Sequence, residues 1–582
     1  WKPSLKLLEL QLFAAPKIHQ YESKTGEIWR MSKQSSSEQL TDNLCIPSNK
    51  IIDITKFVDK NGVINWNAPK GLWTIVRIGH TSTGHTNATA GGGKGLECDK
   101  FSEEAVKIQF DNWFGEAQKQ IGPMLSKEVL RYFHVDSWEC ESQNWSKNFA
   151  QEFSKRRGYS IMPYLLVYTG VPVQSRRVSE QVLFDIRQTI VDLVLEKFYG
   201  TLRKITTEKG LIFTAESIAP TMMSDGLAHY KLVDIPMGEF WLNSPTHDKP
   251  NDMLDAISAA HIYGKNIIQA EGFTTVRMAW NEHPAMLKTL QDRNYALGIN
   301  KLVYHVFSHN PWIDKQPGMT LDGVGLYFQR NQTWWKPAKA WVDYATRCQE
   351  LLQQGKPVAD IAIFTGDDLP RRSVLPDRLV GTLTGLFGDE KVALEQKRLA
   401  NEGQPMRQMP AGVGNSANMA DADQWVNPLR GYAYDSFSPD ALKSAKVING
   451  KVSFADGNSY ALLVLPRALK LSPNTNATSE TSLQKLLQLI QAGANVVISE
   501  RPAVSLSKSN APNLPSLIEQ IWDGDFQGVN GFQVKNVGKG KVILSPIIPE
   551  NLPSTQGGIF RLRLVPYTHS QPIKVQKHYL YI

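Results

Sequence analysis

Residues 130–139 read LRYFHVDSWE, and they decide how the rest of the chain is read. Leu130, Tyr132, Phe133, His134 and Val135 can line a core, which predicts a short buried strand. The chain then turns polar and delivers Asp136, Trp138 and Glu139 within four positions. An apolar run ending in an acid recurs at Leu211–Ala215 before Glu216, at Val233–Gly238 before Glu239 and at Asn266–Ala270 before Glu271. Stretches of helical spacing separate most of these runs: residues 102–120 before the first, then 145–157, 182–208, 251–264 and 284–297.

With Trp73–Ile78 ahead of them and Leu302–Phe307 behind, six strands are expected, alternating with helices. That alternation predicts a parallel sheet with crossover helices. A doubly wound sheet would place a glycine-rich phosphate turn after its first strand, and none of these runs has one. Carboxylates at four successive strand ends instead predict the catalytic face of an α/β TIM-type (β/α)8 barrel. Six strands leave two to be supplied, and the expectation puts them upstream of Trp1. On this reading residues 1–70 form an irregular β-rich edge with a hairpin at Lys60-Asn61-Gly62, and residues 71–355 form the barrel. Residues 356–548 form a smaller open-sheet α/β domain with polar insertions at 400–435, and residues 549–582 show no plan.

Composition narrows the function. The chain has 582 residues, 42% of them hydrophobic and 21% charged, the range of ordinary globular domains. A net charge of +8 is spread without runs of like sign, which argues for a solvated surface and no nucleic acid partner. No apolar run reaches the roughly 18 residues of a membrane span. No signal segment is visible, and a periplasmic or secreted address is the expectation. Cys45, Cys98, Cys140 and Cys348 lie too far apart for a zinc or disulfide pattern.

Each candidate residue has a chemical and a structural meaning. Glu139, held against Trp138, would lose hydration and suit general acid work. Counted from two absent strands, Glu139 ends the fourth strand and Glu271 the seventh, facing positions that suit paired carboxylates cleaving a glycosidic bond. Glu216 and Glu239 can serve as base, hydroxyl-binding group, metal ligand or plain hydrogen-bonding group. Asp136 can hold Glu139 protonated or help to bind a cation. His305 and His309 fit sugar-hydroxyl contacts or the role of core histidines better than a zinc site, since HxxxH without glutamate on a strand exit lacks the helical geometry, and Trp138 and Trp312 suit contact with a sugar. Gly91–Gly95 lacks the Ser or Thr that a phosphate loop needs after its lysine.

These segments together resemble glycoside hydrolase family 106, the α-L-rhamnosidases. The resemblance is carried by GLECDKFS (95–102), HVDSWE (134–139), WSKNFAQEFSKRRGYSIMPYL (145–165), TAES (214–217), GEFW (238–241), QAEGFT (269–274), FSHNPW (307–312) and residues 333–370. It implies hydrolysis of terminal α-L-rhamnose from plant polysaccharides or glycosides with inversion, and an active-site calcium ion. The family's acid falls on Glu139 and its base on Glu271, with Glu239 as rival. Inversion needs carboxyls about 6.5–9.5 Å apart, whereas facing fourth- and seventh-strand carboxylates often sit about 5–5.5 Å apart and favour retention. The second domain resembles the amidotransferase-like domain that follows some glycosidase barrels, without a cysteine nucleophile. A non-catalytic carbohydrate-binding protein on a decayed barrel is the alternative, and it would show a lost carboxylate.

Overall fold

The structure, a computed structural model, describes residues 15–28, 40–87, 91–217, 225–242, 250–275, 278–315, 318–319, 324–374, 434–454, 457–466, 477–498, 501–529 and 532–544. The opening stretch forms β1 (Tyr132–Val135), the first strand of a parallel sheet. It is followed by β2 (Ile212–Ala215), β3 (Ile235–Trp241), β4 (Gln269–Thr274) and β5 (Lys301–Tyr304). The five lie side by side in chain order, every pair parallel. Unbroken order means that each crossover steps the same way, so the helices collect on one face and the sheet curls around the other. The result is an α/β fold with a curled parallel half-barrel.

The outer face is covered by α1 (Glu103–Phe110), α3 (Phe149–Arg157), α4 (Arg176–Leu193), α5 (Gly200–Glu208), α6 (Pro250–Ile262), α7 (Pro284–Leu297) and α8 (Ala338–Leu352), while α2 (Glu116–Glu128), broken at Gly122, buries no residue. Phe133, Phe213, Ala215, Phe240, Ala270 and Leu302 belong to one buried cluster with Val182, Ile186 and Ile190 of α4. Those α4 positions recur every four residues, the spacing of a helix face. The helix starts where Ser175 accepts a hydrogen bond from the Val178 N–H, a cap worth about 1 kcal/mol.

Helix α6 lies directly on β3. A Cβ at Gly238 would come 3.0 Å from the Asp252 carbonyl oxygen and the Met253 Cα, atoms that cannot swing away. Gly238→Ala is therefore expected to destabilise the chain by about 1–3 kcal/mol. A lowered denaturation midpoint at constant slope would show it; an unchanged midpoint would mean that the helix can lift off.

The sheet differs from expectation in three ways. Trp73–Ile78 forms no ladder among the described residues, and Ile75, Val76 and Ile78 are exposed. β-Branched residues favour an extended backbone, but a strand also needs a neighbour to pair with. Among the described residues, five strands and not six thus make the half-barrel. Second, β3 runs on past Glu239 to Trp241, and β4 begins only at Gln269 and runs past Glu271 to Thr274. Both glutamates sit inside their strands, where a concave polar face interrupts the apolar run without ending the strand. Third, β5 stops at Tyr304, short of the expected Phe307. In the region expected to be β-rich, the described part of residues 40–70 holds three 3-10 turns and isolated bridges, with no ladder. The turn at 60–62 is present, with the Asp59 N–H donating to the Val63 carbonyl at 2.9 Å.

A second sheet follows, built from β6 (Ile361–Phe364), β7 (Tyr434–Phe437), β8 (Leu462–Val464), β9 (Asn495–Ile498), β10 (Gln527–Val529), β11 (Phe532–Val537) and β12 (Gly540–Leu544). Its order is β10-β11-β12-β9-β8-β6-β7, parallel except for the β10-β11-β12 meander at one edge. Helices α9 (Glu480–Ala492) and α10 (Leu514–Trp522) pack on it. The two sheets meet where the Ser436 N–H of β7 donates to Ser258 Oγ of α6 at 3.0 Å, and His261 contacts Asp435 at 2.8 Å. The expected insertion at 400–435 falls almost wholly outside the described residues, and the segment 549–582 falls outside them altogether.

Candidate active site

The register of the half-barrel assembles its concave face. His134 pairs with Thr214, Glu239 with Glu271, and Glu271 with Val303. The Glu216 N–H extends the β1–β2 ladder by donating to the Val135 carbonyl at 2.9 Å. Side chains alternate along a strand, so His134 and Asp136, Thr214 and Glu216, Glu239, and Glu271 all project to the side away from the helices.

Curling brings three of them together. Asp136, Glu216 and Glu271 each place a carboxylate oxygen within 4.8 Å of the others. Carboxylates this close repel one another when ionised, a repulsion that a shared proton or a bound cation relieves. Their oxygens are hard ligands, the donor chemistry that calcium or magnesium takes.

Asp136 is the accessible member, its side chain 73% exposed although much of the protein surrounds it at longer range. Burial pushes its pKa up, but hydrogen bonds and charge from His134, a hydrogen bond with Glu216 and the Ser137 N–H together bring it from 3.8 to about 2. The sign follows: stability contributed by Asp136 is present above 3.8 and lost as pH falls through about 2. His134 sits 2.7 Å through Nδ1 from the Thr214 hydroxyl and 3.8 Å through Nε2 from Asp136, joining β1 to β2 at the acid cluster.

Glu216 is almost fully buried, and its carbonyl accepts from Nε2 of the buried His229 at 3.0 Å. Desolvation drives the His229 pKa down to about 3, so the ring is a neutral N–H donor. The Thr274 hydroxyl donates to Glu271, and His305 Nδ1 stands 3.6 Å from the same carboxylate. Burial lowers the His305 pKa more than Asp136 raises it. Gly325, at φ +94°, lies against that ring, where a Cβ would come 3.1 Å from it. Glu239 is buried and accepts from the Trp241 indole N–H.

The other expected site residues lie elsewhere. Glu139 is exposed on the loop after β1 and is not one of the three clustered acids; its Oε1 accepts from Ser137 Oγ at 2.9 Å. Trp138 donates to the Glu141 carbonyl and packs edge-on against Phe198, so it does not bury Glu139. His309 and Trp312 are exposed on the loop after β5. The sequence reading passed over His134, Thr214, Thr274 and His229. The first two were detectable, since each stands two residues before an acid already noted and so shares its face.

A parallel half-barrel whose concave face gathers carboxylates is the arrangement of sugar-cleaving α/β barrels. The alpha-L-rhamnosidase family model, glycoside hydrolase family 106, matches residues 2–381 and 412–557, and the chain belongs to that family. It is similar to a rhamnosidase from Novosphingobium sp. PP1Y, with a TM-score of 0.70 and 28% identity, over 92% of this chain and 47% of that one. It is also 32% identical over 501 residues to a Formosa agariphila protein named "Putative beta-glucuronidase", covering 85% of this chain and 38% of that protein. The chain therefore spans less than half the length of either relative. No helix among the described residues is long and apolar enough to cross a membrane.

Proposed function

We propose that the half-barrel carries the active site of a glycoside hydrolase that removes terminal α-L-rhamnose from plant polysaccharides or glycosides by inversion. The gathering of Asp136, Glu216 and Glu271 on one concave face supports this reading most directly. Family membership and the similar rhamnosidase support the sugar.

In this reading Glu139, at the open rim, donates a proton to the leaving oxygen, and Glu271 takes the proton of the attacking water. Thr274 and His305 orient Glu271. The three acids lie within 4.8 Å of one another, closer than the roughly 6.5–9.5 Å that separates the acid and base of an inverting pair. That geometry favours a proton donor from outside the trio, which Glu139 is. Asp136, Glu216 and Glu271 would hold a calcium ion, whose charge when bound would let them ionise together and draw in sugar hydroxyls. Glu239, His309 and Trp312 are proposed sugar contacts, and the second sheet is proposed to be amidotransferase-like and structural.

Hydrolysis of an aryl α-L-rhamnoside, with the first-formed anomer followed by NMR and an aryl β-glucuronide as comparison, tests the function. β-Rhamnose appearing first is expected; release of the α anomer first would overturn inversion, and glucuronide turnover alone would overturn the sugar. Calcium at about 100 times its Kd is expected to stabilise the chain by about 2.7 kcal/mol, reversed by chelator. A melting temperature indifferent to both would remove the ion from the proposal.

A further inference from the structure

The segment that leaves β6, residues 366–374 (GDDLPRRSV), is unusually rich in buried charge. Arg372 is buried between Asp252 and Asp255 of α6, donating to both carboxylates, and its third contact is Ser217 Oγ at 3.3 Å. Ser217 follows Glu216 directly. The neighbouring Arg371 reaches Asp225 at 3.4 Å and Gln188 at 2.6 Å, and its carbonyl accepts from the Gly226 N–H at 2.9 Å. Asp225 in turn accepts from the N–H groups of Leu227 and Ala228, which lead into His229, the donor to the Glu216 carbonyl. Gly226 permits this close approach, since a Cβ there would lie 2.9 Å from Arg372 Nε.

Buried ion clusters are poor stabilisers, because desolvation cancels most of the attraction and an apolar packing of equal volume often does as well. What such a cluster supplies is fixed geometry. Here the geometry is delivered to Glu216 from both sides: through Ser217 on the chain leaving β2, and through Asp225 and His229 on the chain returning to β3. We infer that the 366–374 strap of the second sheet positions Glu216, with Arg372 acting through Ser217 and Arg371 through the segment that carries His229. The second sheet then serves the active site without touching substrate. This inference rests on reading Asp136, Glu216 and Glu271 as that site.

Ser217→Ala tests it, because the change removes the Arg372–Ser217 contact while leaving Arg372 paired with both aspartates. The expected result is a kcat lower by about 10-fold with KM nearly unchanged. Calcium affinity, read by calorimetry without substrate, should weaken alongside it, while the melting temperature stays at the wild-type value. Asp368→Asn, on the same strap but facing Arg187 of α4, should leave kcat and calcium affinity as they are. Wild-type kcat and calcium affinity in Ser217→Ala would overturn the inference, as would an equal loss in Asp368→Asn. Glu216→Gln separates the two levels. If it keeps full activity, the reading of the site fails; if it is inactive while Ser217→Ala is normal, only the positioning role fails.

Discussion

Glu271→Gln is expected to lower kcat on an aryl α-L-rhamnoside by about 10²–10⁴-fold, the range for losing a general base. Gln keeps the shape and can still accept from Thr274, so measured at saturating calcium, which offsets the weaker hold of an amide on the cation, the loss would report the missing proton acceptor. The same change should leave stability intact or raise it in cation-free buffer. Glu271 stands with Asp136 and Glu216 inside 4.8 Å, and a neutral amide relieves that repulsion. Low activity together with a raised or unchanged melting temperature is the expected pair of results. Full activity would move the base to Glu239, which is paired with Glu271 across the β3–β4 ladder.

Glu139→Gln should behave differently, and the difference lies in the leaving group. A proton donor matters most when the departing oxygen is a poor leaving group, as in a rhamnose–sugar linkage. It matters less for a nitrophenolate, which departs as an anion. Loss of about 10²–10⁴-fold on a rhamnose-containing oligosaccharide, with a much smaller loss on the nitrophenyl rhamnoside, is expected. Equal losses on both substrates would mean that Glu139 binds sugar instead. Wild-type rates on the oligosaccharide would remove it from the mechanism. Its exposed position on the loop after β1 is compatible with a donor at the rim that meets the leaving group only when substrate closes over it.

Much of the chain could be read without coordinates. LRYFHVDSWE reads as strand then acid because five of its first six residues suit a core and its last four hold two carboxylates. Helix α7 was legible at Pro284–Leu297 because a proline opens it, its spacing is regular, and glycine follows it. The acids Glu139, Glu216, Glu239 and Glu271 were visible because each closes or interrupts an apolar run, although only Glu239 and Glu271 lie within strands. Trp73–Ile78 misled for the converse reason: strand propensity is a local property, whereas a strand is a pairing between segments.

Which acids meet was decided only by the tertiary structure. In the sequence Glu139 was the conspicuous carboxylate, set beside a tryptophan, yet the chain turns after Asp136 and leaves Glu139 in solvent. Asp136, taken for its neighbour, is the residue that joins Glu216 and Glu271. The reason is register. Alternation puts every second residue of a strand on the concave face, and curling of the sheet converts positions 80 and 135 residues away from Asp136 into contact distance. Spacing along the chain carries the alternation but not the curl. The same holds for Arg372, whose link to Ser217 spans 155 residues and two sheets. The sequence by itself determined most of the strands and helices and the stock of acids. The curvature of the half-barrel and the docking of the second sheet decided which of those acids lie together.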